Sequence, residues 1–115
     1  MNIELIRKIC LALPAVTEDI KWGNDLVFSV GGKMFCVSSA DEPIQCSFKV
    51  PVEQYEELTI RPGFVPAPYL ARANWVLITE PSKASRSEWQ EFISQSYELV
   101  KAKLTKKIKT ELNLS

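Results

Sequence analysis

Hydrophobic and polar positions divide the chain into a short series of elements. Asn2 suits an N-cap, and Ile3, Ile6, Ile9, Cys10 and Leu13 follow at helical spacing. Pro14 ends that run, because it has no N–H and restrains Leu13. Glu4 and Lys8 are spaced to pair on the outer face of this helix. Glu18, Asp19 and Asp25 then read as an acidic loop, with a Lys21-Trp22-Gly23 corner inside it. Leu26, Phe28 and Val30 alternate with Val27 and Ser29 as a half-buried strand, and Gly31-Gly32 can adopt the positive φ angles of a tight hairpin turn. The return strand covers residues 33–39. Ile44, Cys46, Phe48 and Val50 next alternate with Gln45, Ser47 and Lys49, which predicts a sheet with one wet side.

Pro51 suits the start of a short helix in which Val52, Tyr55 and Leu58 share a face. Pro62, Pro66 and Pro68 rule out a continuous helix beyond it. That segment reads as an extended entry, a turn or helical loop at residues 68–72, and a strand from Trp75 to Thr79. Ser85 and Glu88 have capping-box spacing, and Trp89, Phe92, Ile93, Ser96, Val100 and Leu104 trace one face of a terminal helix. Thr105 can cap a short final helix. The order predicts an α+β domain spanning residues 1–115, an antiparallel sheet covered on one face by the N- and C-terminal helices.

Composition narrows the chemistry. The chain has no histidine, which removes Ser-His and Cys-His pairs and most zinc sites. Its three cysteines, Cys10, Cys36 and Cys46, lack metal-ligand spacing and read as buried structural thiols. Neither a membrane-spanning run nor a signal-peptide layout is visible, so a cytoplasmic protein is expected. Net charge is zero, but the halves differ. Residues 1–60 hold five basic and nine acidic side chains, and residues 61–115 hold nine and five. Such a split can present one basic face.

Three segments carry a resemblance. The opening "MNIELIRKICLALPAVTEDIKWGNDLVFSVGGKMFCV", the middle "GFVPAPYLARANWV" and the ending "SYELVKAKLTKKIKTEL" resemble, in that order, the MmcQ/YjbR family of small bacterial proteins. The resemblance implies a CyaY-like (frataxin-like) fold and no established enzyme activity. It also implies binding of double-stranded DNA through paired hairpins, a "double wing". Many members carry a Lys-Arg-His-Trp run before the late strand. Here Ala71-Arg72-Ala73-Asn74-Trp75 stands in its place, with one charge. Frataxin-type iron binding would need a convergent acidic set, and the first helix offers only Glu4.

A non-enzymatic binding protein without cofactor is therefore expected. Lys33, just past the hairpin tip, with Lys49, Arg61 and Arg72, are the candidate phosphate contacts. The alternative is a small-molecule or protein-binding module in which Tyr69, Arg72 and Trp75 frame a pocket mouth. Set against both is a purely structural reading, with Tyr69 and Trp75 packed inside a proline-stiffened crossing. Trp22 is expected to cap the core beneath the hairpin.

Overall fold

A computed structural model describes residues 1–114. It contains helix α1 (Ile3–Leu11), strands β1 (Val16–Lys21), β2 (Asp25–Val30), β3 (Lys33–Ser39) and β4 (Cys46–Lys49), and helix α2 (Val52–Thr59). Strands β5 (Phe64–Pro66) and β6 (Trp75–Ile78) and helices α3 (Arg86–Ala102) and α4 (Lys106–Glu111) complete it. All neighbouring strands run antiparallel in one six-stranded sheet ordered β1-β2-β3-β4-β6-β5. The α+β expectation holds. Among the described residues no helix is long and apolar enough to cross a membrane.

Local chemistry starts and stops the helices as the sequence predicts. Asn2 Oδ1 accepts from the Leu5 N–H, Ser85 and Glu88 form a complete capping box, and Thr105 caps α4. On the outer face of α1 the pairing differs from expectation: Glu4 meets Arg7 rather than Lys8. The core lies between the sheet and the α1/α3 layer. Phe28, Cys36, Cys46, Phe48, Val76 and Ile78 from the sheet pack there with Ile6, Trp89, Phe92, Ile93 and Tyr97. The Tyr97 hydroxyl donates to the Pro14 carbonyl at 2.7 Å, tying α3 to the exit of α1. Cys10, Cys36 and Cys46 are free and buried, as expected, with Cys36 and Cys46 sulfurs 3.5 Å apart. Hydrogen-bond contact with Cys36, and then burial, push the Cys10 and Cys46 thiols well above their usual range.

Four further expectations need correction. The acidic stretch is not a loop: it forms β1, whose inward position at Glu18 is satisfied by a two-pronged bond from Arg7 at 2.7 and 3.0 Å. Trp22 does not cap the core. It sits in the three-residue β1–β2 loop and is 67% exposed, because that end of the hairpin runs clear of the helices. The second sheet face is not uniformly wet either. Val27 and Trp75, which register puts there, are fully or nearly fully buried, and residues 67–74 cross that side. Finally, Tyr69 and Trp75 part company: Tyr69 is wholly exposed and Trp75 is 4% exposed.

Candidate functional site

Two depressions share Met34: the first opens at the end of the sheet toward Val100 and Lys103 at the end of α3, and the second lies on the side of the sheet away from the core. The first begins where β3 and β4 separate. Their pairing stops at Cys36 opposite Phe48. A β-bulge in β3 against β2 falls at the same level and leaves Phe35 unmatched. Ser96 of α3 fills the gap: its hydroxyl donates to the Phe35 carbonyl at 2.6 Å and accepts from the Lys49 N–H at 2.9 Å. A side chain thus replaces a missing rung of the ladder, and the strand ends splay.

At the splayed end, Lys33, Met34, Lys49, Trp75, Val100 and Lys103 line a cleft of about 230 Å³. The cleft carries three lysines and no carboxylate. None of these lysines takes part in the salt bridges found among the described residues. Desolvation first, and then the neighbouring Lys103 charge, hold the Lys49 ammonium below its usual pKa. Lys49 is partly buried beside the exposed Lys103 charge, and an anion held between the two ammonium groups would offset their repulsion.

The sequence-derived site residues divide accordingly. Lys33 and Lys49 come together. Arg61 does not join them: its guanidinium grips both Glu88 oxygens at 2.6 and 2.9 Å, donates to the Lys83 carbonyl and stacks over Phe64. Arg72 is exposed on a short 3-10 turn (Ala71–Ala73) and lines neither depression. Trp75 faces the lysine cleft and Tyr69 the other depression. Sequence reasoning missed Lys103 as a site residue. It sits in a lysine-rich helix end, and nothing local distinguishes it from Lys101, which pairs with Glu98 and lies over Tyr97.

The hairpin tip also differs from a free wing. Gly31 has φ of 58°, and a Cβ there would lie 2.7 Å from Leu104 Cδ1 and 3.1 Å from Ile108 Cγ2. The β2–β3 tip is therefore packed under the C-terminal helices. The projecting hairpin is β1–β2, which carries Glu18, Asp19 and Asp25.

A profile of the YjbR family matches residues 11–99. This chain belongs to the YjbR family. The fold of this YjbR member is similar to that of the Deinococcus radiodurans protein DR2400, which carries the DUF419 family domain. Their identity is 29% with a TM-score of 0.88, over 99% of this chain and 89% of that one. A Pseudomonas syringae protein, structural-genomics target PsR293, shares the fold at 17% identity and a TM-score of 0.73. That match covers 87% of this chain and 99% of the other. No curated protein matches the sequence.

Proposed function

We propose that this YjbR protein is a non-enzymatic, cytoplasmic binding protein that holds the phosphate backbone of double-stranded DNA at the Lys33–Lys49–Lys103 cleft. The observation that carries the reading is the convergence of three lysines on one concavity with no carboxylate among its lining residues. Phosphate contacts of this kind fix position and carry no sequence information. Arg72, exposed on the turn into Trp75, is the outer contact of the same footprint. Arg61 is left out, since both arms of its guanidinium are already engaged. Three buried free thiols fit a reducing compartment.

With zero net charge, affinity should stay in the weak range of roughly 10⁻⁴–10⁻⁶ M typical of non-specific binding. Fluorescence anisotropy of a labelled mixed-sequence duplex, titrated at two salt concentrations, tests the reading. Four phosphate contacts, the three lysines and Arg72, predict a slope of log affinity against log salt of about −3.6. The Lys33→Ala/Lys49→Ala double variant should flatten that slope by about two, and Arg61→Ala should leave it unchanged. No binding at about 50 mM salt, where the electrostatic term is strong, would remove DNA as the ligand.

A further inference from the structure

The second depression, about 570 Å³, lies between the β1–β2 loop and residues 68–70. Its rims are aromatic, Trp22 on one side and Tyr69 on the other, and Met34 and Val37 form its floor. Both rim residues have positive φ, 51° for Trp22 and 65° for Tyr69. Bulky side chains rarely occupy that region, where glycine or asparagine is the usual solution. Strain of this sort tends to be kept at ligand clamps. Neither ring is used by the fold: Trp22 is two-thirds exposed, Tyr69 is fully exposed, and neither forms a ring pair or side-chain hydrogen bond among the described residues.

Both rims are nonetheless held in place. On the first, the Asn24 side chain bonds Asp41, and the Ala40 N–H donates to the Asn24 carbonyl. On the second, the Ala67 N–H donates to the Trp75 carbonyl at 3.0 Å, the Trp75 N–H returns to Leu70, and Pro66 and Pro68 stiffen the chain. A preformed cleft of this kind loses little entropy on binding.

The single charged residue lining the cleft is Asp25, and it enters none of the salt bridges among the described residues. A carboxylate beside two exposed aromatic faces and a polarisable thioether complements a cation with an apolar body. We infer that this groove is a binding site for a small organic ammonium ion bearing an aromatic or aliphatic body. The body lies on Met34 and Val37, while the ammonium meets Asp25 and the Trp22 and Tyr69 rings. This site is separate from the lysine cleft and does not depend on the DNA reading.

Trp75 and Trp89 are buried, so Trp22 is the exposed indole, and its fluorescence reports on the groove. The test titrates the full chain with phenethylammonium and, as matched neutral and anionic probes, 2-phenylethanol and phenylacetate. Saturable quenching is expected with the amine, at least about tenfold tighter than with the alcohol. Asp25→Asn should abolish that preference. Tyr69→Ala should abolish saturable binding at an unchanged melting temperature, since Tyr69 packs against nothing in the core. For Trp22→Ala the readout is the Met34 methyl resonance, which should no longer shift. The Lys33→Ala/Lys49→Ala variant should bind the amine as the parent does while its salt-dependent DNA binding falls. Equal affinity for the three probes, preference for the anion, no saturable binding, or loss of amine binding in the lysine variant would each overturn the inference.

Discussion

The Ser96 hydroxyl stands between Lys49 and Phe35, accepting from the N–H of one and donating to the carbonyl of the other. It is wholly buried, and it is the reason two adjacent strands can part without leaving backbone groups unpaired. The lysine cleft exists because of that parting. Ser96→Ala leaves a buried donor and a buried acceptor facing a methyl group, and should cost about 2–4 kcal/mol. Urea denaturation should show a lowered midpoint at unchanged slope. A loss below about 0.5 kcal/mol would mean that β3 and β4 close and pair directly, a rung worth about as much as those lost.

Arg61 and Glu88 make stability depend on acid. The Arg61 guanidinium, then the Ser85 N–H, hold the Glu88 carboxyl down to about 2. Its folded pKa lies below the ordinary carboxylate value, so the stabilisation is fully present above about pH 4.3 and is lost as pH falls toward 2. Melting temperature followed between pH 5 and 2 should fall in the parent and fall less steeply in Glu88→Gln. The pair is about one-third exposed, so the loss at neutral pH in Arg61→Ala should be about 1 kcal/mol or less.

Gly31 and Gly32 form the same turn and should respond differently to alanine. Both have positive φ, but a Cβ at Gly32 meets nothing within 4 Å, whereas one at Gly31 runs into Leu104 and Ile108. Gly32→Ala should carry the backbone penalty alone, about 1–2 kcal/mol. Gly31→Ala should add an overpacking penalty of about 1–3 kcal/mol. Equal midpoints in a denaturant titration of the two variants would show that the tip is not packed under α4.

The three thiols should be inert in the folded protein. Cys10, Cys36 and Cys46 are all fully buried, so a thiol-specific chromogenic reagent should react only as fast as the chain opens. All three should react at once in about 6 M guanidinium chloride, well beyond the unfolding midpoint of an ordinary domain. Fast stoichiometric labelling under native conditions would contradict the packing around α1, β3 and β4.

Much of the fold was legible because local rules and global packing agree. The Asn2, Ser85 and Thr105 caps need only residues three positions away, and the alternation through Cys46 and Phe48 matches a strand buried on one face. Strand β1 was not legible. Its inward position is Glu18, a charge satisfied by Arg7 eleven residues earlier, so the apolar alternation that marks a strand is interrupted.

The sequence by itself determined the helices, the core strands and the absence of histidine chemistry, since caps, spacing and side-chain inventory are local properties. Tertiary structure alone decided which charges are free and which aromatics are exposed. Arg61 and Lys33 look alike as letters, yet one is held by Glu88, twenty-seven residues away, and the other opens onto a cleft with Lys49 and Lys103. Trp22 and Trp75 differ in the same way, one on a free loop end and one buried in the sheet. Pairing and burial depend on contacts between distant segments, and spacing along the chain does not encode them.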